Sequence, residues 1–69
     1  MKVYFKNSNG KEILKGKTDN DDDAIKIIDD FCDERGFHVY YKRFWTDPYN
    51  YRRTICDYGS HNEFFIIEY

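Results

Sequence analysis

The sequence predicts an α+β domain of order ββαβββ, one amphipathic helix packed on one face of a mostly antiparallel sheet of about five strands. Residues 18–36, T-D-N-D-D-D-A-I-K-I-I-D-D-F-C-D-E-R-G, carry a helical apolar period with a start and a stop signal. The stretches on either side alternate with a period of two instead. Asn9-Gly10, Asp47-Pro48 and Gly59-Ser60 punctuate them where turns belong.

Residues 2–6 alternate Lys2, Tyr4 and Lys6 against Val3 and Phe5. Asn9-Gly10 reads as a two-residue hairpin loop, because a type I′ turn needs positive φ at both positions. That loop sets Phe5 opposite Leu14, with Val3, Phe5 and Leu14 toward the helix and Tyr4, Lys6, Ile13 and Lys15 away from it. The helix follows over residues 20–35. Ala24, Ile25, Ile27, Ile28, Phe31 and Cys32 fall in an arc of roughly 160°. Thr18, Asp19 or Asn20 supplies the cap, and Gly36 provides the left-handed stop. Residues 37–45 form a strand with Phe37, Val39 and Tyr41 toward the helix. Residues 49–58 form the next, with Arg52 and Arg53 on opposite faces. Residues 62–69 close the chain with bulky apolar groups on both faces, which a central strand or an interface explains and an exposed edge does not. How the first hairpin joins the last three strands stays open. The expected core is Val3, Phe5, Leu14, Ala24, Ile25, Ile28, Phe31, Cys32, Phe37, Val39, Ile55 and part of 64–67.

The 69 residues make one small domain, 1–69. Chains this short bury only about 60% of their unfolded surface, so the apolar stripes must all be used. No stretch resembles a signal peptide, and the longest uninterrupted apolar run, 64–67, is far too short to span a bilayer. The expected compartment is the cytoplasm. There Cys32 and Cys56 are expected as reduced, apolar side chains, with a structural disulfide as the alternative.

No metal or cofactor is expected. Asp19, Asp21, Asp23 and Asp30 have the spacing of a calcium loop, but Ala24 stands where such a loop needs glycine. Cys32, Cys56, His38 and His61 lack the paired spacing of a zinc site. No enzyme is expected either. The two histidines, His38 and His61, sit in no context that suggests a base with an orienting partner.

Charge is strongly segregated. Residues 1–18 hold five Lys and one Glu, net +4, while residues 19–34 hold eight acids and one Lys, net −7. Acids in the first helical turn suit the helix dipole. Asp29, Asp30, Asp33 and Glu34 lie in the second half, where the dipole disfavours them. Together with Asp22 they form an acidic strip suited to a basic groove on a protein partner, where it would imitate the phosphates of a nucleic acid. Small, acidic, aromatic-rich chains of this kind resemble in character phage-encoded inhibitors of host nucleic-acid enzymes, including DNA mimics and anti-CRISPR proteins. No residue motif carries that resemblance.

A second reading rests on Tyr40, Lys42, Phe44, Trp45, Tyr51, Arg52 and Arg53, which mix rings with cations. Such a sheet face can stack single-stranded nucleic acid. The net charge of residues 37–69 is nevertheless zero, from four bases and four acids, and the ribonucleoprotein signature is absent. The same aromatic sheet face also suits a homodimer.

Overall fold

The computed structural model describes residues 1–37, 42–60 and 62–69. The expectations placed on His38, Val39, Tyr40, Tyr41 and His61 lie outside the described residues. Among those described, the elements are β1 (Lys2–Lys6), β2 (Glu12–Lys17), α1 (Asp21–Glu34), β3 (Arg43–Asp47), β4 (Asn50–Asp57) and β5 (Phe64–Glu68). The ββαβββ order is that read from the sequence.

Asn20 caps α1: its Oδ1 accepts from the Asp23 amide at 2.8 Å, and its Nδ2 donates to Asp23 Oδ2 at 3.0 Å. Thr18 fixes the cap residue in turn, its hydroxyl accepting from the Asn20 amide at 3.0 Å and donating to the Asn20 carbonyl at 2.8 Å. At the other end Gly36 takes φ 69°. The Gly36 amide then reaches the Asp33 carbonyl and the Phe37 amide the Cys32 carbonyl, the two bonds of a Schellman stop. Phe37 is thereby directed onto the core.

All five strands join one antiparallel sheet in the order β2-β1-β5-β4-β3. The last strand is the central one, which accounts for the bulky residues on both its faces and joins the two hairpins. The helix contacts β1 and β2 on one side of the sheet.

The first hairpin departs from the two-residue reading. Asn7 Oδ1 accepts from the amides of both Asn9 and Lys11 at 3.0 Å, and the Gly10 amide closes onto the Asn7 carbonyl. Gly10 has φ 83° and, among the described residues, Asn9 included, no non-glycine residue has positive φ, so Asn9 cannot supply half of a type I′ turn. The longer loop moves the register, and Phe5 faces Ile13. Leu14 lands opposite Tyr4, away from the helix, and is 47% exposed rather than in the core. A shift between Val3 and Tyr4 then places Gly16 opposite Val3. Here the helix comes very close: a Cβ on Gly16 would lie 2.8 Å from Ile27 Cδ1.

The core comprises Val3, Phe5, Ala24, Ile28, Cys32, Cys56, Tyr58, Phe65 and Ile67. Cys56 pairs with Phe65, which puts Cys56 toward the helix and Ile55 on the opposite face, so Ile55 is not the core residue expected. Ile25 is only partly buried, and its neighbour Ile27 packs on the core instead. Phe31 is half-buried at the rim, its ring 4.7 Å from Phe5 and 5.5 Å from Phe65. Lys15 and Arg35 lie over that ring at 4.5 and 5.3 Å. Both cysteines are free and buried.

Replacing Phe65, fully buried at the centre, by alanine should cost about 3–5 kcal/mol, and the rim residue Phe31 less, about 2 kcal/mol. Urea denaturation of the two variants measures that ranking. Burial also pushes the Cys56 thiol and the Tyr58 phenol up to about 12, from ordinary values of 9.0 and 10.0. Both are neutral in the fold and ionise more readily in the unfolded chain. Their stabilisation is therefore complete below pH 9 and is lost as pH rises from 9 toward 12. Urea midpoints should decline over that window, and Cys56→Ala should delay the onset of the decline.

Candidate interaction surfaces

The helix presents its carboxylates as the period requires, with one change. Asp22, Asp30, Asp33 and Glu34 are exposed and have no ion-pair partner among the described residues. Asp29 is different. It is half-buried and accepts from Lys42 Nζ at 2.7 Å, so this late acid ties α1 to the chain just ahead of β3. The first-turn acids Asp21 and Asp23 are also engaged, Asp21 with the Tyr69 hydroxyl at 3.1 Å and Asp23 with the cap. Between α1 and β2 runs a shallow groove of about 300 Å³ lined by Lys15, Ile27, Asp30, Phe31 and Glu34. Asp30 and Glu34 thus flank an apolar floor, which the sequence did not show because Lys15 arrives there through the β2 irregularity.

The residues singled out as a nucleic-acid face are dispersed. Register sets Phe44 opposite Cys56, on the helix side, and Trp45 opposite Ile55, on the uncovered side. Lys42 is held by Asp29. Tyr51 and Arg52 are exposed at the start of β4, where the Arg52 carbonyl accepts from the Tyr69 amide at 2.8 Å. Of that set, Trp45 and Arg53 share one groove. It holds about 160 Å³ on the uncovered face and is also lined by Lys6, Glu12, Asp47, Ile55, Phe64 and Ile66. Trp45 meets Phe64 edge-on there, ring centroids 6.4 Å apart.

Two arginines of this face, Arg53 and Arg43, are matched to acids. Arg53 donates through both terminal nitrogens to the Glu12 carboxylate, and its Nε lies 3.5 Å from Glu68 Oε2. That Nε is buried without a hydrogen bond. The Glu12 bond raises the Arg53 guanidinium above its ordinary value. Arg43 donates to Asp57 at 3.0 Å. The Gly59 amide, bonded to Asp57 Oδ1 at 2.8 Å, together with Arg43 holds the Asp57 carboxyl below its usual range.

Among the described residues, no group of three or more His, Cys, Asp or Glu is disposed to hold a metal ion, and no helix is long and apolar enough to cross a membrane. No family model matches the chain, and neither does any curated protein or solved structure.

The four unpaired helix acids and Asp29 should respond oppositely to charge reversal. Asp30→Lys with Asp33→Lys should leave the thermal midpoint unchanged or raise it, since cations suit the second half of a helix. Asp29→Lys sets a cation against Lys42 and should lower the midpoint, by about 4–8 °C if about 1 kcal/mol is lost. Circular dichroism melts of the variants at low salt distinguish the two responses.

Proposed function

We propose that this protein is a small non-enzymatic binding domain that presents the acidic face of α1 to a basic groove on a partner protein, in the manner of an inhibitor that imitates nucleic acid. The observation that carries this reading is the contrast between the two sides of the molecule. Asp22, Asp30, Asp33 and Glu34 stand exposed and without ion-pair partners among the described residues. On the uncovered sheet face Arg53 and Arg43 already hold Glu12 and Asp57. Carboxylates held at fixed spacing on a rigid helix, none of them in an ion pair among the described residues, generate a field that steers a cationic surface into register. The apolar floor beside Asp30 and Glu34 adds a place for a partner side chain to bury. The phage-inhibitor character of the composition suggests nucleic-acid enzymes as the partner class.

The alternative, single-stranded nucleic acid on the aromatic sheet face, has less support. A phosphate would have to displace Glu12 from Arg53, and Phe44 and Trp45 lie on opposite faces of β3.

The test pairs capture with reversal. Wild-type protein and the Asp30→Lys/Asp33→Lys variant, which keeps the Asp29–Lys42 bond, are immobilised and exposed to lysate of the native host. A protein retained by wild type, released by raised salt and lost in the variant is the expected result. In parallel, fluorescence polarisation with a labelled single-stranded oligonucleotide should show no binding by wild type. Oligonucleotide binding that falls in Arg52→Glu would instead select the second reading.

A further inference from the structure

The sheet has two outer strands, and they are not alike. β2 carries the devices that discourage pairing with another chain: a register irregularity, Gly16 in its second half, and Lys15 and Lys17. β3 reads Arg43-Phe44-Trp45-Thr46-Asp47, in regular register with β4 from Arg43 to Thr46 and shifted only before Asp47, its last residue. Among the described residues nothing pairs with its outer edge. Phe44 and Trp45 are 42% and 39% exposed, one on each face. Two aromatic rings and a threonine at the centre of an outer strand are strong β formers with no charge among them.

We propose that this edge is the contact between two copies of the chain, each β3 pairing antiparallel with the other across a two-fold axis at Trp45, to give one continuous ten-stranded sheet. The sequence of β3 is complementary to itself in that register. Arg43 falls opposite Asp47 of the second copy, Phe44 opposite Thr46, and Trp45 opposite Trp45. Every pair joins positions of the same parity, so the ladder closes whichever set of amides points outward. The uncovered face then carries Arg43–Asp47, Trp45–Trp45 and Asp47–Arg43 in a row, and the helix side carries two Phe–Thr pairs. Arg43 also donates to Asp57 through Nη2, on the same face of its own chain. Asp47 Oδ1 accepts from the Tyr49 amide at 2.8 Å, leaving its second oxygen for the guanidinium. An isologous contact of this kind stops at two copies, and β2 is unsuited to extend it.

Sedimentation equilibrium over a wide concentration series reads the outcome. Wild type should pass from one chain of 8.5 kDa to twice that mass and no further. Trp45, the chain's only tryptophan, should shift its emission to shorter wavelength over the same range. Asp47→Asn keeps the turn acceptor and removes the charge, and should raise the dimer dissociation constant by about 2- to 30-fold. Arg43→Glu and Asp47→Lys each oppose like charges and should be monomeric alone. Mixed in equal amounts they should form a heterodimer, because the introduced carboxylate meets the introduced ammonium. A wild type monomeric to millimolar concentration, assemblies larger than two, or a dimer indifferent to Asp47→Asn would each overturn the proposal. So would two folded single variants that fail to associate when mixed. If circular dichroism shows either single variant unfolded, Asp47→Asn decides alone.

Discussion

One helix cannot cover both faces of a five-stranded sheet, and most of what distinguishes this molecule answers that shortage. α1 leans over β1 and β2, and among the described residues the far face has no second layer. Ile66 faces that uncovered side yet is only 4% exposed. Long side chains take the place of a layer. Arg53 on β4 reaches Glu12 on β2 across the two intervening strands, and its guanidinium lies 5.8 Å from the centre of the Tyr4 ring. Trp45 and Phe64 close the other side of the same groove. The aliphatic stem of an arginine covers apolar surface while its head stays paired, an economical use of one residue in a chain too short for a second helix.

The same arrangement decides where charge is available. Binding Arg53 and Arg43 to acids on the uncovered face makes that side polar without making it strongly charged. Among the described residues the helix has an ion pair only at Asp29, so the negative field of residues 19–34 is concentrated on the solvent side of α1. The basic first hairpin lies next to it, and Lys15 spends its charge over the Phe31 ring instead of on a carboxylate. A molecule with net charge of only −2 therefore has one distinctly anionic flank.

Features set by residues close in sequence could be read before the structure. A cap among Thr18, Asp19 and Asn20, the stop at Gly36 and the apolar stripe depend on neighbours within one or two turns, and the structure selects Asn20. The double-sided apolar character of residues 64–67 pointed to a central strand or an interface, and the strand order shows the first. Side-chain capture of backbone amides was harder to see. Asn7 competes with Asn9-Gly10 for the turn, and its two hydrogen bonds lengthen the loop, turning Leu14 outward. The phase of β4 could not be chosen from Ile55 and Cys56 alone, because both are apolar and the register with β5 settles it. Of the candidate site, the outward acids were legible from period. The Asp29–Lys42 and Arg53–Glu12 pairs were not, since neither follows a local repeat.

Placing β5 in the middle has a kinetic consequence. The β1–β2 and β3–β4 hairpins close through short loops, and α1 is nucleated by its own cap, so each can form early and locally. None of them completes a core. β5 follows β4 through a short connection, Cys56 meeting Phe65, but it meets β1 across nearly the whole chain, Val3 opposite Ile67, so the two parts become one sheet only when β5 reaches β1. Contacts that span nearly the whole chain must be made last and together. That one non-local pairing slows folding relative to an all-local topology of the same size and leaves an edge of β1 and an edge of β5 unpaired until it forms.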